Sequence, residues 1–259
     1  MRSILFLISA ALLAACGQPA QQAPGAPAAE ATPAASTAAA PIWFFCDGID
    51  APVVYLFADS PNDGRTRMIE YDKHTGATVR SVDLQVGNGQ GAAGSIYIPL
   101  TKDGADFGHV RQINPGMLET PASAYTTPYS SVQIENRNVT CRWLPRTRVA
   151  GFTGRRSFLI SEDADGDLLY TTYDFANAST QPIDLSDNGR STAFSVEVRN
   201  GQEQISPTGS VFTFLGRDGF SYRITLTNGQ PGQLAVLRGG AMVQSEPLLG
   251  VVQGQAEAD

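Results

Sequence analysis

The sequence predicts an all-β protein, an antiparallel sandwich or barrel built from hairpins. Turn-forming pairs such as Asp103-Gly104 and Asp218-Gly219 separate short apolar runs. Within the runs apolar and polar residues alternate, as from Phe220 to Leu226, which indicates strands with one buried face. No window shows a sustained apolar stripe at helical spacing, so an architecture of alternating strands and helices is disfavoured.

Seven turn signals divide the region from Ile42 to Val252. They are Asp63-Gly64, His74-Thr75-Gly76, Asp103-Gly104, Asp165-Gly166, Asn200-Gly201, Asp218-Gly219 and Asn228-Gly229. In six of them Asp or Asn, which tolerates positive φ, directly precedes glycine, and in the seventh the glycine follows His74-Thr75. Each is expected to connect two strands.

Two pairs of hairpins recur in the same order. The first pair is residues 54 to 72 and 157 to 174; the second is 95 to 107 and 210 to 222. The repetition indicates either two similar units in tandem, at residues 42 to 145 and 146 to 252, or only the general likeness of hairpins to one another. Both interpretations remain open at this stage.

The N-terminal fifteen residues have the pattern of an export signal: Arg2, an uncharged apolar stretch from Ile4, and the small residues Ala14 and Ala15 before Cys16. The stretch is about half the length that a helix needs to cross a bilayer. Leu13-Ala14-Ala15-Cys16 resembles the lipobox of bacterial lipoproteins. That resemblance implies cleavage before Cys16 and lipid on this cysteine.

Residues 16 to 41 are expected to form a tether. Residues 17 to 41 contain five prolines and eleven alanines, with Glu30 as the only charge. Such a segment has little apolar surface to offset its ordering entropy, and it reaches roughly 25 to 75 Å. Residues 253 to 259 are also expected to be a disordered tail.

Composition limits the partners. The chain carries a formal net charge of −7, so nucleic acid is not expected to bind. With Cys16 used for lipid, Cys46 and Cys141 remain as a pair in an oxidising compartment, and a disulfide is expected between them. Only two histidines are present, and no cofactor is predicted.

A group of cationic and aromatic residues is the predicted binding patch. It comprises Arg142, Trp143, Arg146, Arg148, Arg155 and Arg156. Arginine binds carboxylate and phosphate bidentately and stacks on rings, so such a patch suits an anionic envelope component or an acidic protein. The alternative is cross-strand pairing with the chain's own acids, such as Glu162 and Asp163.

Asp163, Asp165 and Asp167 have the alternating spacing of calcium ligands. Leu168 stands where a helix-loop-helix calcium site needs glycine, so an acidic hairpin turn is the competing interpretation. No other metal site is predicted.

The segment Gly89 to Gly94 matches the spacing G-x-G-x-x-G, but a strand follows it, where a dinucleotide site needs a helix. An exposed loop between strands is therefore expected. His74 and His109 have no nucleophile motif near them, although a pair of carboxylates brought together by folding could still hydrolyse glycans.

The outline of a lipobox, a tether and a β unit from Phe45-Cys46-Asp47-Gly48 to Cys141 is similar to the lipoprotein inhibitors of C-type lysozyme, the MliC family. The likeness covers the first unit. The chain lacks that family's Ser-Gly before tyrosine and its Trp-x-Lys-Gly segment, so no inhibitory residue is carried over.

The sequence therefore predicts a lipid-anchored envelope protein, a non-enzymatic module that binds a protein or glycan. Because Gly17 follows Cys16, the outer membrane, facing the periplasm, is the expected location. Two alternatives remain: a periplasmic inhibitor that inserts residues 87 to 94 into a cell-wall hydrolase, and a hydrolase of envelope glycans or peptides.

Overall fold

The computed structural model describes residues 42–58, 63–118, 124–175 and 195–254. Over these ranges eighteen strands form two antiparallel sheets of nine strands each, which confirms the predicted all-β class. None of the described segments is a helix of the length and apolarity that crossing a membrane requires. The predicted signal peptide, Cys16, the tether and residues 255 to 259 lie outside the described residues.

The first sheet is a meander in which each long strand pairs with the next. Its strands are β1 (Ile42–Asp47), β2 (Val53–Ala58), β3 (Arg65–Asp72), β4 (Thr78–Val86), β5 (Gln90–Ala92), β6 (Ser95–Lys102), β7 (Ala105–Ile113), β8 (Tyr129–Ile134) and β9 (Arg137–Thr140). The short strand β5 pairs only with β6. A 3-10 helix, Pro115–Met117, follows β7.

The second sheet is also a meander. Its strands are β10 (Thr147–Phe152), β11 (Arg156–Glu162), β12 (Leu168–Asp174), β13 (Val196–Ser206), β14 (Gly209–Leu215), β15 (Phe220–Thr227), β16 (Gln233–Arg238), β17 (Ala241–Pro247) and β18 (Gly250–Gln253). The two sheets share a hairpin register: Val54 is opposite Tyr71 in β2 and β3, as Ser157 is opposite Tyr173 in β11 and β12.

The first sheet curls so that its two edges meet. In the first, Gly48 pairs with Cys141 just beyond β9, and the Cys46–Cys141 disulfide joins the same edges, as the cysteine count predicted. In the second, β17 lies on one edge and β18 on the other, yet only Leu248 and Leu249 separate them. Two residues span about 11 Å at most, so the end of β17 lies close to the start of β18.

The disordered tail was predicted to begin at residue 253, but regular pairing extends to Gly254. Gln253 ends β18 opposite Val149, and the N–H of Gly254 donates to the carbonyl of Arg148 at 2.8 Å. These residues are ordered because β18 pairs with β10, which gives their backbone groups partners.

Six of the seven turn signals lie in or beside connections between strands, but Asn200-Gly201 lies inside β13. Asn200 has a φ of 58°, and the register against β12 shifts between Val198 and Gly201. The pair thus forms a bulge, at which β13 leaves β12 and pairs with β14 instead. Phe214 covers Gly201 so closely that a Cβ there would clash.

Three apolar clusters hold the fold together. One contains Tyr55, Phe57 and Met68 of the first sheet, and another contains Phe158 and Phe212 of the second. The third joins the sheets, with Val54 and Leu56 of β2 packing against Phe152 and Phe175. The outer face of β2 is therefore buried against the second sheet.

Candidate functional site

Arg142 of the predicted patch is buried between the two sheets. Its Nε lies 2.9 Å from Oδ2 of Asp47, and its guanidinium lies 3.5 Å from the centre of the Tyr173 ring. The Nζ of Lys73 lies 2.5 Å from the other Asp47 oxygen. Burial alone would raise the pKa of the Asp47 carboxyl, but the Lys73 and Arg142 charges outweigh this and hold the pKa below its usual value.

The remaining arginines of the patch divide between internal pairing and solvent. Arg146 and Arg148 both bind Glu162, at 3.3 and 3.2 Å. Arg156 is buried, within 3.3 Å of Asp174 and 3.2 Å of Glu246. Arg148 also binds Glu203 at 2.7 Å. Cross-strand pairing with the chain's own acids, the alternative considered above, therefore occurs at these three positions, although Asp163 takes no part.

Arg155 and Trp143 complete the predicted patch. Arg155 is exposed, and within the described residues its side chain has no partner. Trp143 is half-buried, and its indole N–H donates to Oγ1 of Thr126 at 3.0 Å. The arginine cluster is thus not one open surface, and Arg155 is its exposed member.

The aspartates of the calcium candidate form the turn between β11 and β12. Oδ1 of Asp163 accepts the backbone N–H groups of Asp165, at 3.0 Å, and Asp167, at 2.9 Å. Across the described ranges no three histidine, cysteine or acidic side chains are close enough to hold a metal ion. The Asp163 carboxylate therefore serves the turn.

Residues 87 to 94 lead into the hairpin of β5 and β6, and every residue from Gly87 to Ala93 is exposed. Strand β6 follows Gly94, as the sequence predicted. His109 packs its ring 5.2 Å from that of Tyr97, and His74 lies in the exposed turn after β3.

A cleft opens where β13 extends past the end of β14. Gln202 pairs with Thr213, and continuing this register places Asn200 level with Leu215, the last residue of β14. In the described part of the chain, residues 196 to 198 therefore pair with a strand, β12, on one side only, and Arg199 lies at the bulge that follows. We call this stretch, Val196 to Arg199, the free edge of β13.

The cleft beside the free edge encloses about 590 Å³, a volume typical of ligand sites. One wall is the free edge, and the other is the β14–β15 turn with the start of β15. Its lining includes Val196, Glu197, Arg199, Arg217, Phe220 and Tyr222. The cleft thus combines aromatic rings with charged groups of both signs.

Buried hydroxyl groups lie next to the cleft. The ring of Tyr222 stacks on that of Tyr170 at 5.2 Å, and Val196 is paired with Thr172. Tyr170 and Thr172 are fully buried, and their hydroxyl oxygens have no hydrogen-bond partner among the described residues. Burial raises the pKa of Tyr170, so its hydroxyl stays protonated and able to donate. Buried hydroxyl groups without a hydrogen-bond partner are uncommon in proteins.

Sequence reasoning missed this cleft. Asn200-Gly201 signalled it, because the bulge there separates the paired half of β13 from its free edge, but an Asn-Gly pair in a sequence is more typical of a hairpin turn. The depth of the cleft also depends on where the β14–β15 hairpin ends.

No protein-family model matches the sequence. A search of curated proteins gives no match either. The functional argument therefore depends on the site itself.

Proposed function

We propose that the chain is a lipid-anchored protein of the cell envelope, a non-enzymatic binding module that holds a partner in the cleft beside the free edge of β13. The observation that carries the proposal is the open cleft itself. The proposed anchor is lipid on Cys16, and the proposed location is the outer membrane, facing the periplasm.

The anchor is supported by the tetrapeptide Leu13-Ala14-Ala15-Cys16 behind an apolar stretch. The disulfide between Cys46 and Cys141 adds support for export, because such bonds persist in oxidising compartments. Several acyl chains on one cysteine would hold the protein stably at a membrane surface.

Binding is supported by three properties of the cleft. Its volume suits a ligand, Phe220 and Tyr222 in its lining offer apolar contact, and among the described residues the free edge has a strand on one side only. An open strand edge presents unpaired N–H and C=O groups to which another chain can add a strand.

The anchor is tested by replacing Cys16 with serine in the full chain, expressed in its native host. Membrane fractionation is expected to find the wild-type protein with the outer membrane and the variant in the soluble periplasmic fraction. A labelled fatty acid should enter only the wild type. Equal labelling or unchanged membrane attachment of the variant would refute lipidation at this residue.

The cleft is tested by placing a photo-crosslinking amino acid at Leu215 in cells. Ile205 is the matched control, because it has the same exposed fraction, 76%, but lies on the half of β13 that is paired with β14. We expect a discrete cross-linked product from position 215 and none from 205. No product from 215, or identical products from both, would contradict a site in the cleft.

A further inference from the structure

We infer that the partner in the cleft is an extended polypeptide segment that adds to the free edge of β13 as an antiparallel strand, and that this segment has an acidic–apolar–basic order. The inference rests on the proposed function, because it specifies the occupant of the same cleft.

The backbone of the free edge supplies the first argument. Val196, Glu197 and Val198 pair with β12 through one row of N–H and C=O groups, and the opposite row faces the cleft. Such groups need hydrogen-bond partners once a ligand buries them. An extended chain presents the complementary row at the same spacing, which is how strands add to open sheet edges.

Charge order supplies the second argument. Glu197 and Arg199 lie on the same face of β13, where their side chains form an ion pair at 2.8 Å and are 28% and 61% exposed. An incoming antiparallel strand places an acidic residue opposite Arg199 and a basic one opposite Glu197. Opposite charges directly across a ladder stabilise the pairing, and like charges oppose it.

Val198, the residue between the two charges, faces the opposite side of β13 from them. Val198 is buried in the apolar cluster of the second sheet, and Phe220 and Tyr222 line the cleft beside it. A residue opposite Val198 points the same way, because facing residues of neighbouring strands share a side. An apolar side chain is therefore expected at that position.

The chain itself provides a probe with this order. Residues 195 to 200 read Ser-Val-Glu-Val-Arg-Asn, and an antiparallel copy centred on Val198 places its glutamate opposite Arg199 and its arginine opposite Glu197. The matched control is the same peptide with glutamate and arginine exchanged. The control peptide places like charges opposite Arg199 and Glu197, so its affinity should be roughly tenfold lower.

Fluorescence anisotropy with the full chain in detergent micelles measures both peptides. The protein variant that combines Glu197→Arg with Arg199→Glu should reverse the preference. Equal affinity of the two peptides for the wild-type chain, or an unchanged preference in the double variant, would overturn the proposed charge order.

A backbone test needs no protein variant. Methylating the peptide nitrogens one at a time should abolish binding at alternate positions only, because every second N–H of an added strand faces β13. Uniform tolerance, or loss at every position, would overturn strand addition.

Two further outcomes separate this inference from the proposed function. If position 215 cross-links to glycan and the peptides do not bind, the cleft remains a binding site but its occupant is not a strand. If sedimentation shows that the full chain dimerises and that the probe peptide separates the dimer, the occupant is a second copy, and the inferred partner is wrong.

Discussion

Ser157 of the second sheet donates a hydrogen bond of 2.5 Å to the carboxylate of Asp47 in the first. Asp47 also binds Lys73 and Arg142, and all three charged side chains are buried. A charge in a dry interior is costly unless it is paired and hydrogen-bonded. Asp47 therefore joins both sheets and pairs with two cations, beside the apolar cluster that packs the sheets together.

Replacing Asp47 with asparagine is expected to destabilise the protein by about 3–5 kcal/mol, because Lys73 and Arg142 would remain buried without a counter-ion. Urea denaturation followed by tryptophan fluorescence measures the loss. Asp83→Asn is the matched control, since it breaks an ion pair with Arg67 in which Asp83 is 78% exposed. The control should cost less than about 1 kcal/mol. Equal losses in both variants would contradict the structural role of Asp47.

The Asp47 carboxylate is also expected to make the free energy of unfolding fall in acid. Because the folded state holds the pKa of Asp47 below its usual value, the unfolded chain takes up a proton first as the pH falls. The contribution of Asp47 is thus complete above about pH 4 and is lost as the pH falls through its lower folded pKa. Unfolding free energies measured from pH 6 to pH 2 should fall more steeply for the wild type than for Asp47→Asn. Parallel curves would show that Asp47 does not carry this dependence.

The disulfide is expected to stabilise the protein strongly, because Cys46 and Cys141 are separated by 95 residues. Its loss in the Cys46→Ala, Cys141→Ala double variant should cost about 2–5 kcal/mol, through the greater freedom of the unfolded chain. Wild-type protein unfolded in reductant should match the double variant, and its intact mass should rise by two hydrogens. A wild type that is insensitive to reductant in unfolding and in mass would disprove the bond.

Local sequence signals predicted the strands and the disulfide. Alternation and turn residues act over a few positions, so the hairpin at Asp103-Gly104 could be read directly, and both residues have the positive φ values that such a turn needs. Cys46 and Cys141 could be paired because they are the two cysteines that remain once Cys16 is used for lipid, and because an exported protein meets an oxidising compartment. Their distance in space was not needed.

Local sequence signals could not predict whether each arginine of the patch is buried or exposed. Whether a side chain meets solvent or a carboxylate depends on residues far away in the chain, as with Arg142 and Asp47. The cleft has the same origin, because it requires β13 to change partners at Asn200 and β14 to end at Leu215. Such features depend on strand register, which the alternation of residues sets only together with the geometry of the turns.

Arg155 and Arg156 are adjacent in sequence but are expected to respond oppositely to substitution. Arg156→Gln leaves the buried carboxylate of Glu246 and that of Asp174 without their shared cation, so a loss of about 3–5 kcal/mol is expected. Arg155→Gln changes an exposed side chain and should stay within about 0.5 kcal/mol. Urea denaturation of the two variants measures the difference. Similar stability losses at both positions would contradict the buried pairing of Arg156.

Since Arg155→Glu should also leave the fold intact, it tests the predicted surface patch without the disruption that any change at Arg156 brings. If every in-cell cross-link persists in Arg155→Glu, the patch is not a binding surface.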